Sequence, residues 1–139
     1  MIEVSIEPFT RAHLEGLIAL VAAEGWNEYS EDVERTHGAL TAPGVTTLVA
    51  VAGAQLVGAI QVQSDGLIQA HVSMLLIDRN SRGAGLGSRL LRQGLERAGG
   101  LQLDIRTRTE GYYERLGASR SLGFRLTREN LGLDGTDAT

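Results

Sequence analysis

A chain of 139 residues with 42% apolar and 22% charged side chains is long enough for one hydrophobic core and short for two, so a single domain over residues 1–133 is expected, with a disordered polar tail over 134–139. The net charge of -4 leaves no basic footprint for nucleic acid or an anionic membrane, and with no apolar run of spanning length the expected location is cytoplasmic. No cysteine and no lysine occur, all 13 basic side chains being arginine, which removes thiol nucleophiles, thiolate metal sites, Schiff-base lysines and the lysine of a Walker loop.

Ile2 to Ile6 alternates apolar and polar residues, which predicts a half-buried strand. Thr10 is placed to cap a first helix, with Phe9 and Leu14 as a hydrophobic staple. Leu14, Leu17, Ile18 and Val21 carry that helix to about Ala23, before Gly25 stops it. Ser30, followed by Glu31 and Asp32, predicts the cap of a second helix ending before Pro43. Its thin apolar face of Val33, His37 and Leu40 suggests a mobile cover more than a core element.

Thr46 to Val51 and Gln55 to Gln63 read as a hairpin turned around Gly53, and Ser64, Asp65 and Gly66 as a second turn into a strand from Leu67 to Ile77. A helix from Gly87 to Ala98, a strand from Leu101 to about Ile105 and a short helix through Tyr113 to Leu116 complete the order. Consecutive hairpin-linked strands between helices imply an α+β chain, a mixed sheet with helices packed on it.

The chemistry concentrates between Arg82 and Ser88, where Gly83, Gly85 and Gly87 alternate with small or apolar residues from a strand into a helix. Glycine lets successive N–H groups turn toward one point, and with the open first turn of the helix they make an anion site suited to a pyrophosphate. Leu86, Leu90, Leu91 and Leu95 give that helix one apolar face, which anchors the loop. Gly83, Gly85 and Ser88 also approach a dinucleotide fingerprint, with Asp104 about twenty residues on. Hairpins precede the loop, however, where that fingerprint opens a run of parallel βαβ units.

Leu75, Leu76 and Ile77 end the strand before the loop, and Arg82 to Gly87 fits an Arg/Gln-x-x-Gly-x-Gly/Ala pattern. Tyr113, Glu114, Arg115, Leu116 and Gly117 fit a Tyr-Glu-x-Leu-Gly segment. On these two motifs, and over roughly Ile2 to Phe124, the chain resembles the GNAT superfamily of N-acetyltransferases. The resemblance implies an acyl-CoA N-acyltransferase fold, a central, mostly antiparallel sheet flanked by helices and splayed between the strand ending at Ile77 and the one starting at Leu101. The pantetheine arm of acetyl-CoA would lie in that gap, paired with the backbone of Leu76 and Ile77, where a main-chain N–H polarises the thioester carbonyl. Arg82, Gly83, Ala84, Gly85, Gly87 and Ser88 would hold the pyrophosphate, and no metal is implied.

The implied activity is direct transfer of acetyl to a primary amine of a small molecule or peptide through a tetrahedral intermediate. Tyr113 is the candidate acid for the departing thiolate, because a phenol with an ordinary pKa of about 10 stays protonated at neutral pH. His71 is the candidate base, placed by the two-residue strand period on one face with Gln69 and Ser73. Gln69 stands near where relatives carry a Glu, and an amide is no base. Glu24 lies in the connection that forms the acceptor side in relatives, and is both a second catalytic candidate and, with Trp26 and Gln69, a candidate for substrate contact. Trp26 and Tyr29 would form an apolar wall there. Arg106, Thr107 and Thr109 stand where many relatives carry an Asn that helps bind the cofactor. A non-catalytic CoA-binding sensor or regulatory module is the alternative, and a homodimer is compatible with either. Neither nucleic acid nor membrane is expected as a partner.

Overall fold

The computed structural model of the protein describes residues 3–135. Five strands form one sheet in sequence order: β1 (Val4–Pro8), β2 (Val45–Ala52), β3 (Gln55–Ser64), β4 (Gln69–Ile77) and β5 (Gln102–Ile105). The helices are α1 (Leu14–Ala23), α2 (Asn27–Ser30), α3 (Val33–Leu40), α4 (Leu86–Ala98) and α5 (Tyr112–Arg115). Tight turns make β2, β3 and β4 antiparallel, and β1 pairs antiparallel with β2. The β4–β5 pair, joined through α4, is parallel. This is the mixed sheet that the sequence pattern implies, and the mostly antiparallel one that the resemblance implies.

Several boundaries differ from expectation, each for a local reason. The first strand starts at Val4 and runs to Pro8; Ile2 and the tail residues Thr136 to Thr139 lie outside the described residues. Thr10 opens a 3-10 turn over Arg11–His13 before α1, with its N–H donating to His13 Nδ1 at 2.9 Å. Ser30 does not cap the next long helix. It closes the single-turn α2, and Asp32 caps α3 by accepting the Arg35 N–H at 3.1 Å. Leu67 and Ile68 are not in β4, because the Asp65 carboxylate gathers the N–H groups of Leu67, Ile68 and Gln69 into a turn and so takes the backbone out of the ladder.

The sheet separates two apolar layers. On one face Leu17 and Val21 of α1 and Leu40 of α3 pack against Val49, Ala59 and Met74. On the other, α4 lies so close that a Cβ at Gly94 would stand 3.1 Å from Val62 Cγ2 and 3.2 Å from Ile60 Cδ1, so even an alanine there would make these side chains give by a few tenths of an ångström. The thin face of α3 does not leave it a mere cover: Thr36 and Leu40 are each 2% exposed. Its last carbonyls are satisfied by the sheet, Thr47 Oγ1 donating to Leu40 O at 2.8 Å and Gln61 Nε2 to Ala39 O at 3.1 Å.

One irregularity in β4 positions the site. Val72 opposes Val62 while Met74 opposes Gln61, so Ser73 is an extra, bulged residue. Val62 lies on the α4 face and Gln61 on the α3 face, hence the bulge moves the strand's alternation from one face to the other. His71, opposite Gln63, stays with Gln69 on the α3 face; Ser73 does not simply continue their row.

The chain divides into two compact units, Met1–Ile105 and Arg106–Thr139. The first holds the whole sheet and α1 to α4. In the second, Gly111 precedes α5, Glu114 Oε2 accepts the Gly111 N–H at 2.9 Å, and the helix ends in a left-handed Gly117 with φ 86°. Gly117 N–H donates to Glu114 O and Ala118 N–H to Tyr113 O, which closes the helix end and explains the Tyr-Glu-x-Leu-Gly spacing. None of the described residues of this unit is fully buried.

Candidate functional site

After β4, the Asp78 carboxylate accepts the Asn80 N–H at 3.2 Å and sets a 3-10 turn over Arg79–Ser81. Gly83 and Gly85 then take φ of 88° and 78°, the left-handed region, and Gly85 leads into α4. A Cβ on either glycine would meet nothing within 4 Å, so protein packing does not demand glycine here. What demands it is the backbone turn and the open space in front of it. Among the described residues, the N–H groups of Gly83 and Gly85 donate no hydrogen bond, and the first turn of α4, with Gly87, follows directly. Free N–H groups backed by the positive end of a 13-residue helix are an arrangement suited to an anion.

The strand before the loop offers a second recognition element. β5 pairs only with Gln69–Val72 of β4, so among the described residues β4 has no strand partner on its β5 side from Ser73 to Ile77. The sheet is thus open along this edge, which includes the backbone of Leu76 and Ile77 and leads to the loop.

Arg82 is held by two partners. Its Nε donates to Ile77 O at 3.1 Å, and its Nη2 pairs with Glu24 Oε1 at 2.7 Å. The side chains are 50% and 27% exposed, so the bridge is partly shielded from water. It ties the end of β4 to the α1–α2 connection. Sequence reasoning gave Arg82 to the cofactor and Glu24 to the acceptor; their union escapes it because the two are 58 residues apart and no local spacing marks the pair. Trp26 and Tyr29 have ring centroids 6.1 Å apart and both pack against the core cluster, which makes the expected aromatic wall part of the core's rim.

On the α3 face lies a cleft of about 680 Å³ between the stretch from Ala39 to Val45 and the sheet. Gln69 and His71, both expected in the site, line it together with Gln61, Gln63, Asp65 and Asp104, which sequence reasoning missed. The hairpin register carried a signal for one of them, since Gln63 stands opposite His71, and β5 brings Asp104 beside the same residue. Backbone N–H groups, first that of Ile68 and then that of Leu67, hold the Asp65 carboxyl below its ordinary range. Asp104 has no such partner among the described residues.

In the second unit Tyr113 stacks edge-on with Tyr112, centroids 4.9 Å apart. Partial burial, and secondarily the neighbouring Tyr112, raise the Tyr113 pKa above its ordinary value, which keeps the phenol protonated. Arg106, Thr107 and Thr109 open this unit, with Thr107 Oγ1 accepting the Thr109 N–H at 2.9 Å. Among the described residues no group of three or more His, Asp or Glu could hold a metal ion, and no helix is long and apolar enough to cross a membrane.

In sequence, the family described as an acetyltransferase (GNAT) domain matches residues 11–135, a span that covers the loop, the cleft and Tyr113. No curated protein matches the chain. In structure it is similar to a transcriptional regulator from Bacillus halodurans C-125, with a TM-score of 0.75 and 22% identity over 90% of this chain and 99% of the other. It is also similar to a ribosomal-protein-alanine N-acetyltransferase from Brucella melitensis biovar Abortus 2308, with a TM-score of 0.70 and 19% identity over 90% and 98%. A third is an aminoglycoside acetyltransferase from an uncultured soil metagenomic sample, in complex with sisomicin, with a TM-score of 0.68 and 17% identity over 89% and 95%. At these identities the likeness is one of fold.

Proposed function

Since the chain belongs to the GNAT acetyltransferase family, we propose that it moves the acetyl group of acetyl-CoA directly onto a primary amine of a small molecule or peptide. The observation that carries the reading is the continuity of an unpaired β4 edge with a loop of undonated N–H groups at the start of α4. The edge suits an extended amide-bearing arm, and the loop suits the pyrophosphate at its end. The space in front of Gly83 and Gly85 leaves the phosphates room to approach the backbone.

In the proposed reaction the amine lone pair forms a C–N bond to the thioester carbonyl carbon, whose π electrons move onto oxygen. Collapse of that tetrahedral species breaks the C–S bond and releases a thiolate. Backbone N–H groups of β4 near Leu76 and Ile77 stabilise the oxyanion. His71 takes the proton that the amine loses, directly or through water, and Tyr113 gives one to the thiolate. A phenol whose pKa is raised by burial remains a donor throughout the neutral range. Glu24, engaged by Arg82, acts in this scheme on the loop and on the α1–α2 connection that carries Trp26.

Incubation with acetyl-CoA and a panel of amines, read as release of free thiol, tests the proposal. Amine-dependent release is expected. Saturable acetyl-CoA binding with no release across a broad panel would favour a CoA-binding module, and no binding at all would overturn the donor assignment.

A further inference from the structure

Building on the acetyltransferase reading, we infer that the cleft beneath α3 is the acceptor pocket and that it selects a small amine carrying a second positive charge. The first ground is a pair of unsatisfied atoms. Gln61 is 2% exposed and spends its Nε2 on Ala39 O, which leaves Oε1 without a partner. Ser73 Oγ is likewise buried and unpaired. Both flank the same bulge, where Gln61 and Val62 face Met74 and Val72, at the point where β5 leaves β4. Buried polar atoms in folded proteins are nearly always satisfied, and Gln61 lines the cleft with its orphaned oxygen closed off from solvent, so a bound molecule that displaces this cover would supply the missing N–H donor.

The second ground is charge. Apart from His71, no basic side chain lines the cleft, whereas Asp104 stands exposed at the sheet edge with no partner among the described residues. The C-terminal end of α3, at Ala39 and Leu40, adds the negative end of a helix dipole.

The third ground is how these groups are graded. The deep acceptor is a neutral amide and the rim acceptor is a carboxylate. A nucleophilic amine must be neutral to attack, so it suits the buried Gln61 end, where an ammonium would be costly to desolvate. A second ammonium can stay partly hydrated while it pairs with Asp104. Asp104 adjoins His71, His71 opposes Gln63, and Gln61 lies two residues along β3. Strand spacings therefore put the Cα atoms of Asp104 and Gln61 about 12 Å apart, a span suited to an extended di- or triamine. The cleft's volume of about 680 Å³ lies within the range of small-molecule sites.

Calorimetric titration of the protein alone with spermidine and with n-butylamine tests this without requiring turnover. Spermidine is expected to bind at least about tenfold more tightly, and Asp104→Asn to shrink that preference to about threefold or less with acetyl-CoA affinity unchanged. Gln61→Met, shown by thermal melting to be folded, is expected to weaken both amines together. Equal binding of the two amines by the wild-type protein, or a preference that survives Asp104→Asn, overturns the inference. So does turnover of a peptide amine by a protein that does not bind spermidine. Spermidine bound with the expected preference but never acetylated would instead overturn the acetyltransferase reading and leave the pocket standing.

Discussion

The two units of the chain solve opposite problems. Met1–Ile105 carries the sheet, with residues such as Leu17, Val49, Ile60 and Leu90 wholly buried, and the donor loop grows out of that core. The second unit carries Tyr113 on a single helical turn and leaves Leu122 91% and Phe124 87% exposed. The loop needs fixed backbone N–H vectors, which only an anchored helix can hold. A proton donor needs only a phenol with a raised pKa, which partial burial supplies. On the proposed reaction, burial is thus invested where binding would be geometric, and little of it where the chemistry would be a proton transfer.

The sharpest break of that contrast is Gly85→Glu, which puts a carboxylate into the open space before the loop. Acetyl-CoA binding should fall by more than about a hundredfold in calorimetric titration, since like charge and bulk meet the pyrophosphate together. Gly85→Ala is the control for the φ of 78°, and should show only the strain of a left-handed residue, about 1 kcal/mol of stability. If the two variants bind alike, the loop is a turn and not an anion site.

Paired leucine truncations test the contrast in stability. Leu90→Ala, in a fully buried position on α4, should lower unfolding free energy by about 2–5 kcal/mol in urea. Leu122→Ala should stay within about 0.5 kcal/mol. A large effect at Leu122 would mean that the second unit is held by contacts its exposure does not suggest.

Tyr113→Phe should lower turnover at least about tenfold with little change in acetyl-CoA affinity. The pH profile adds a sign. Because burial raises the pKa of this acid, the protonated donor persists past the ordinary tyrosine range, so an alkaline fall in turnover due to Tyr113 should lie above about pH 10. The stability linked to its burial is present below the unfolded value and lost as pH rises toward the folded one. An unchanged rate in the variant removes Tyr113 from the mechanism.

The parts of the molecule legible in the sequence are those encoded locally. The glycine loop, the leucine face of α4, the hairpin around Gly53 and the closure of α5 at Gly117 each depend on residues within a few positions of one another. Most of the misses came from longer range, with the cap of α3 and the turn at Asp65 as local exceptions. Asp32 outcompeted Ser30 as a cap because the extra turn of α2 had already used Ser30, and the bulge at Ser73 shows only in the pairing of β3 with β4. Gln61 and Asp104 reach the cleft through strand register, and the Arg82–Glu24 pair joins residues that no motif connects.

That pair supplies the smallest and most discriminating expectation. Glu24→Gln keeps the shape of the side chain and removes its charge, while Arg82 retains its hydrogen bond to Ile77 O. Since both partners are partly exposed, the lost ion pair is worth about 1 kcal/mol or less. If Glu24 serves to orient Arg82, acetyl-CoA affinity should weaken about two- to fivefold and the KM for the amine should hold. Were Glu24 to meet the acceptor itself, the amine KM would rise and acetyl-CoA binding would not move. A titration with acetyl-CoA beside a KM series in the amine separates the two roles. The first outcome makes the α1–α2 connection a brace for the rigid donor side, and the second makes it a wall of the acceptor site.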